Sequence, residues 1–439
     1  MAVTPDDSLG VGQREAMEFT LRLGHALNQN GYPADSLKAL LSAVAARLGL
    51  PHVETYTTAT GLQLAFGPLN RQRTYLMEVK PGSLNLSKMT RLDEVALRVM
   101  AGKLTPAEGI ARIEKIGAAA SPYGPIPTML AYALASGSFA QLFGGGLREI
   151  TISLLIGGLT GMLALVAGRS SRVEGLFAPL AAFLSAFIAG AIAARAMPLA
   201  SGIVTLAGLV VLLPGLTLTI ALEELSTRHL VTGVGRLSAA LIAFLGIVFG
   251  VAMGSQLAQV SLGRAHIPTP IATPAWATLA AVAVSALAAV VIMRAQPRDT
   301  GWVVLGVAIA YGASSLGALA LGPLGAFLGA LALGVASNVF SVARNRPALV
   351  MQAPGLLILV PGSVGYLSLA ALLQSNTLSG VQAAFQMFLI GAALVYGLLI
   401  ANLISPDRNH LGAIGRASRR ASRLASGLHP HLTEHPTEQ

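Results

Sequence analysis

The chain has 439 residues, of which 54% are hydrophobic and only 11% charged, with 48 glycines; this excludes an ordinary water-soluble domain, in which about a quarter of the residues carry charge. A formal net charge of +10 would suit a nucleic-acid partner, but the cations gather at the ends of apolar runs, where membrane topology accounts for them, so no nucleic acid is expected. The absence of cysteine removes disulfides and thiolate chemistry.

The first twenty residues, MAVTPDDSLGVGQREAMEFT, lack the apolar core of a secretory signal, and the first long apolar run begins only near Ile126. Residues 1–125 are therefore expected to form a cytoplasmic α+β domain. They hold 11 of the 19 acidic and 13 of the 29 basic residues, the mixture of signs found on a solvated surface. Apolar residues at helical spacing predict helices over 15–30 and 34–48, with NGYP as the break between them. The stretches VETYTTA, LQLAFG and RTYLMEV favour β-branched and aromatic residues and predict strands, and KPGSLN turns the chain back into helix at KMTRLDEVALRVMAGKL. A last helix starts at LTPAEGIARIEKI, where Thr105 caps and Pro106 stands in the first turn.

From 126 to 404 the sequence holds ten candidate spans of about 20 residues, centred near 135, 158, 185, 212, 243, 285, 311, 333, 361 and 392. With the N-terminus inside, twelve arginines fall on cytoplasmic flanks and three, Arg148, Arg195 and Arg264, on external ones, which puts both termini in the cytoplasm. A basic tail, 406–439, carries Arg416, Arg419, Arg420 and Arg423 as one helical stripe that could rest on anionic lipid or simply anchor the topology.

Two spans break the rules of a membrane helix in the same way. LVVLLPGLTLTIALEEL (209–225) has Pro214 and Gly215 in its apolar middle, and LLILVPGSVGYLSLAAL (356–372) has Pro361 and Gly362 at the matching place; proline costs a helix interior roughly 3 kcal/mol and glycine about 1. A shift of 147 residues lays 209–250 on 356–397 without a gap, and a shift of 144 lays APLAAFLSAFIAG on GPLGAFLGALALG. The expected architecture is thus an α-helical polytopic membrane protein, a first five-span repeat over 126–265 and a second over 266–405. An odd number of spans per copy inverts the second against the first, giving a 5+5 inverted repeat with two Pro-Gly broken helices beside the cytoplasmic domain.

In lipid a freed backbone N–H or C=O costs several kcal/mol, so a broken helix persists only where protein or a wet cavity receives it. Two equivalent breaks near the pseudo-two-fold axis suit a secondary transporter's substrate site, with half-helix N-termini aimed at an anionic group. The binding candidates are Pro214, Gly215, Thr217, Thr219, Pro361, Gly362, Ser363 and Tyr366. A simple kink with small residues for close packing is the competing account. Glu223 and Glu224 at the cytoplasmic mouth, and Glu149 near the start of the second span, are candidates for carrying a proton, or are wet interfacial charges. Asn338, Gln386 and Asn402 lie within apolar runs and serve either as interhelical hydrogen bonds or as ligand contacts. No GxxxxGK[ST] loop and no histidine cluster occurs, so neither an ATP motor, a metal nor another cofactor is expected. The spans likewise offer no nucleophile–base pair for a membrane enzyme. The partners expected are a small-molecule substrate, protons and the lipid bilayer, with self-association left open.

The motifs NGYPADSLKALLSAVAARLGL, VKPGSLNLSKMTRLDEVALRVMAGKLTPAEGIARI, LFGGG, LVVLLPGLTLTIALEEL, GPLGAFLGALALGVASN and LILVPGSVGYLSLAALL together resemble the threonine/serine exporter family of bacterial and fungal membrane proteins, over nearly the whole chain. The resemblance implies a cytoplasmic N-terminal domain, ten spans, and export of small amino acids driven by the proton-motive force across a bacterial inner membrane. Split relatives of the family are associated with dicarboxylate export, so a substrate such as succinate is the alternative, and a signalling receptor is the reading from another class. The chain departs from the family pattern at Ile220, where an asparagine is common, and at Gln386, where an acidic residue is.

Overall fold

The structure, a computed structural model, describes residues 10–405 apart from 51, 81, 169–170, 264–267, 272, 360–361 and 374–376. The expected tail stripe and Pro361 lie outside the described residues.

The N-terminal part runs α1 (Val11–Gln29), α2 (Ala34–Arg47), β1 (Glu54–Thr57), β2 (Gly61–Phe66), β3 (Arg73–Glu78), α3 (Leu86–Met100) and α4 (Pro106–Ala118). The strands form an antiparallel sheet in the order β1-β2-β3, with Thr57 opposite Leu62 and Gly61 opposite Glu78. Leu62 and Leu64 of β2 point to one face, as the period of two requires, and pack fully buried with Phe19, Leu23, Leu37, Leu41 and Leu92 from the helices. At the start of α4, Thr105 and Glu108 cap each other reciprocally, satisfying two of the helix's orphan donors. Gly109 lets α4 close on α1, since a Cβ there would stand 2.5 Å from the Phe19 ring.

The rest is helical: α5 (Pro125–Leu142), α6 (Leu147–Ala167), α7 (Ser171–Arg195), α8 (Ser201–Gly208), α9 (Gly215–Ser226), α10 (Leu230–Leu262), α11 (Ala275–Ile292), α12 (Thr300–Leu321), α13 (Gly325–Arg344), α14 (Leu349–Leu359), α15 (Gly362–Leu373) and α16 (Thr377–Ile404). Among the described residues eight spans are long and apolar enough to cross a membrane, one of them, Leu349–Ser368, taking α14 and α15 together, and the bent pair α8–α9 would make a ninth. Helix α5, with Thr128, Tyr132, Ser136, Ser138 and Gln141 among its 18 residues, stays out of that count. The chain is a multi-pass membrane protein. Large apolar side chains such as Phe249, Leu319 and Leu403 stand exposed on its helices at 65%, 87% and 83%, as lipid-facing positions do.

Helix crossings are made by close glycine contacts and recur. A Cβ on Gly190 of α7 would fall 2.9 Å from the Ala258 Cβ of α10, and one on Gly334 of α13 would fall 2.5 Å from the Ala401 Cβ of α16. In lipid, where apolar side chains gain little by leaving the solvent, such backbone proximity is what dispersion needs to hold helices together.

All contacts between the N-terminal part and the helices named here lie at one end of the bundle. Leu86 and Ser87 N–H groups donate to Met293 and Arg294 carbonyls at 3.1 and 3.0 Å, the Tyr123 hydroxyl donates to Ala295 O at 2.9 Å, and Thr232 Oγ1 donates to Thr57 O at 2.8 Å. The N-terminal core continues into Val290, Met293, Val303, Leu349 and Ala353 without a boundary. This is called the near end below; the opposite, far end holds the α5–α6, α7–α8 and α10–α11 connections.

Candidate functional site

The helix of the fourth segment fails at Pro214. Helix α8 stops at Gly208, a short 3-10 turn occupies Val210–Leu212, and α9 resumes at Gly215, the two parts bent by 47°. Proline has no N–H and its ring collides with the carbonyl one turn back, and it drives the preceding residue to an extended conformation; Leu213 accordingly has φ −63° and ψ 124°. The first three N–H groups of a helix have no partner inside it. In α9 these belong to Gly215, Leu216 and Thr217. Pro214 offers no side-chain cap, and the first closed bond is Leu218 N–H to Pro214 O at 2.9 Å.

At the matching place in the second copy, α14 is described up to Leu359 and α15 from Gly362, with Pro361 outside the described residues. A Cβ added to Gly362 would stand 3.3 Å from Leu213 Cβ, 3.4 Å from Gly215 Cα and 3.5 Å from Gly215 N. Gly362 therefore meets the start of α9 backbone to backbone. Tyr366, one turn into α15, is buried against Leu209, Leu213 and Phe244. The neighbouring contacts are reciprocal: Gly391 of α16 faces Leu222 of α9, at 2.6 Å from Cδ1, while Gly365 of α15 faces the Phe244 ring of α10, at 3.1 Å. Gly391 is Phe244 moved by the 147-residue shift found in the sequence.

Of the predicted hydroxyls, Thr219 is fully buried and donates to Gly215 O at 3.2 Å, which ties it to its own helix. Thr217 and Ser363 are half-buried, next to Leu216 and Gly362.

Farther along α9, a crevice of about 80 Å³ opens toward the near end. It brings together Glu223, Glu224, Asn338 and Asn402 with Gln352, and one wall is the 32–36 segment, Tyr32 and Pro33 with the first turn of α2. The α9 lining residue nearest to the break, Ile220, lies five positions from Gly215, about 7 to 8 Å along the helix. Glu224 is 3% exposed, so it is a buried carboxylate and not a wet interfacial one. Arg236 Nε of α10 stands 3.2 Å from its Oε2, and Ala34, the first residue of α2, presents its N–H to the same group. Neither carboxylate oxygen completes a hydrogen bond among the described residues. Asn338 donates to Asn402 Oδ1 at 2.8 Å and to Ser405 O at 2.6 Å, linking α13 to α16.

Two predicted residues lie elsewhere. Glu149 is buried at the far end, where one oxygen accepts the Gly146 N–H at 2.9 Å and the other the Ala200 N–H at 3.1 Å, capping the starts of α6 and α8 together. Gln386 is exposed between Phe385 and Phe388 on the outer surface of α16. Sequence reasoning missed Arg236, Gln352 and the 32–36 wall. Arg236 sits inside the otherwise apolar run of α10, and a lone cation at such a place was the available signal. A second buried pair, Asp299 with Arg346, was missed too; Asp299 is 1% exposed.

Residues 18–258 match the family model described as "Putative threonine/serine exporter", and residues 278–404 match "Threonine/Serine exporter, ThrE". The chain is 25% identical to a "Probable threonine/serine exporter" of Mycobacterium tuberculosis, over 97% of this chain and 84% of that protein. It is 24% identical to the threonine/serine exporter of Corynebacterium glutamicum, over 89% and 82%. It is 26% identical to pheromone-regulated membrane protein 10 of Saccharomyces cerevisiae, over 83% of this chain and 48% of that one. No solved structure matches the chain significantly.

Proposed function

Because the chain belongs to the threonine/serine exporter family, we propose that it is a secondary exporter of small amino acids, threonine and serine first among them, driven by the proton-motive force. The observation that carries this reading is the backbone contact of Gly362 with Gly215. In this reading Pro361 breaks its helix as Pro214 does, so that the contact joins two helix starts whose N–H groups and positive dipole ends suit a substrate carboxylate. Each charge-assisted hydrogen bond contributes about 1.5 to 3 kcal/mol, and millimolar affinity needs only about 4 kcal/mol. Two or three such bonds suffice.

In this reading the ten helical segments are ten spans in two inverted sets of five, which the odd count per set and the reciprocal α9–α16 and α15–α10 contacts support. The N-terminal part and both termini lie in the cytoplasm of a bacterium, with the helices in its inner membrane. Arg228, Arg294, Arg298, Arg344 and Arg346 at the near end, against Arg148 and Arg195 at the far end, support that orientation. Substrate enters from the crevice when the 32–36 segment lifts. Glu223 and Glu224 face its ammonium group and exchange protons as the helix starts part. Their negative charge disfavours a dicarboxylate such as succinate, which offers no cation to them.

The test is transport in proteoliposomes under an imposed pH gradient, with threonine, serine and succinate. Gly215→Val and Gly362→Val should each abolish threonine efflux while the protein still folds and inserts, because β-branched side chains hold the two starts apart. Undiminished efflux by both variants would move the binding site away from the breaks.

A further inference from the structure

Outside the proposed pathway, a cavity of about 370 Å³ lies at the near end between α3, the turn before α12 and the end of α13. Five cations from three stretches of chain converge on it: Arg98 and Lys103 from the N-terminal part, and Arg298, Arg344 and Arg346 from the helix ends. The acidic residues lining it are Asp93 and Glu94. Glu94 is shared, 2.5 Å from Arg98 and 3.9 Å from Arg298, and Arg346 is turned to the buried Asp299 behind the wall. Lys103 has no ion pair among the described residues, and Arg344 rests on the Trp302 ring, 5.4 Å from its centroid.

Helix ends and cytoplasmic flanks each attract a cation, which explains any one of these residues. It does not explain why they crowd one cavity with too few carboxylates to neutralise them. The crowding is costly: burial first, and then the neighbouring Arg298, push the Arg346 guanidinium below its usual range, with Glu94 acting the other way. A bound anion would relieve that repulsion. Lys103 comes from the N-terminal part and Arg344 from the helices, and they supply the unspent donors; guanidinium groups match the paired oxygens of a phosphate. On α13 the exposed Val339 and Val342, at 55% and 49%, continue the lipid-facing surface up to the cavity mouth, so the phosphate of an acidic lipid headgroup can reach it as readily as a free one.

We propose that this cavity is a phosphate-type oxyanion site, in which Lys103 and Arg344 hold the anion between them and so fasten the N-terminal part to the helices. The claim concerns binding and does not depend on what is transported.

Trp302 is a built-in reporter, because an anion that draws Arg344 away changes the environment of its ring. The chain has two tryptophans, so Trp276→Phe leaves Trp302 alone. In detergent, inorganic phosphate should change Trp302 emission saturably where sodium chloride at equal ionic strength does not. In a second arm, nanodiscs with phosphatidylglycerol are compared with pure phosphatidylcholine. A response to phosphate assigns a free anion, and a response only to phosphatidylglycerol assigns a headgroup. The double variant Lys103→Gln/Arg344→Gln should abolish either response, and Arg344→Lys should restore most of it. Both substituted residues are exposed, so folding should survive, with circular dichroism as the control. Silence in both arms, or a response that persists in the double variant, would overturn the site.

Discussion

At the far end of the bundle Glu149 takes the N–H of Gly146 and of Ala200 on its two oxygens; at the near end Glu224 has a cation beside it, Arg236, and the start of α2 across the crevice, with no completed hydrogen bond. Both carboxylates are 3% exposed. The far-end group is satisfied by its own helical neighbourhood, 3 and 51 residues away in sequence, and its bonds persist whatever the N-terminal part does. The near-end group is enclosed by a segment almost two hundred residues upstream, and its surroundings change if that segment lifts. Equal burial thus hides unequal surroundings: one carboxylate is held by backbone donors of the bundle itself, and the other is enclosed where the N-terminal part meets the bundle.

The largest expected effect tests whether the near end opens. A Cβ on Gly235 of α10 would stand 2.9 Å from the Ala59 Cβ, so Ala59→Cys with Gly235→Cys places two thiols within reach of a disulfide after a shift of about 1 Å. With no other cysteine present, oxidation should fasten the N-terminal part to α10. Threonine efflux should fall on the order of tenfold or more, as when a lid is held shut, and return on reduction. Full efflux in the oxidised protein would make the near end as fixed a wall as the far one.

Next in size is the buried pair. Arg236→Met leaves Glu224 buried without its cation and should destabilise the protein by about 3 kcal/mol, whereas Arg236→Met with Glu224→Gln should recover most of the loss. Unfolding followed by light scattering in detergent reads both. Equal losses in the single and double variants would mean that the pair does not hold this end.

Glu149→Gln should cost about 2 kcal/mol, since the amide accepts one of the two N–H groups and turns a donor on the other. Its transport should keep the parental ratio of gradient-driven efflux to substrate exchange. Glu223→Gln or Glu224→Gln should instead lose the gradient-driven part and retain exchange. The same ratio in all three variants would remove the functional distinction between the ends.

The smallest effect concerns Lys88, which donates to Gly117 O at 2.7 Å where α3 docks against the helices. Burial, and then the nearby Arg294, hold its ammonium below the usual value of 10.5. Between the lowered value and 10.5 the unfolded chain binds more protons than the folded one, so stability should rise slightly with pH across that window. Lys88→Gln should flatten the rise in a pH series of thermal unfolding; an unchanged slope would assign it to another group.

Much of this protein is fixed by the order of its residues, for physical reasons that act locally. Apolar runs too long for any other use specify membrane helices, Thr105 with Pro106 and Glu108 specifies the start of α4, and Pro214 marks a place where a helix can fail, although Pro179 and Pro354 stand inside α7 and α14. The match of 209–250 with 356–397 makes Gly362 the equivalent of Gly215, and the two lie in contact. What the order of residues does not contain is which distant groups become neighbours. Glu149 and Glu224 read alike as acids beside apolar runs, and only the packing gives one of them two backbone donors and the other Arg236. Gln386 reads like Asn338, yet the rotation of its helix turns it outward while Asn338 reaches Asn402. The 32–36 wall of the crevice, and the five cations around a single cavity, arise where the N-terminal part docks on the helix ends. That docking depends on shape and on backbone groups such as Leu86 N–H and Met293 O, which every residue carries and no sequence pattern marks.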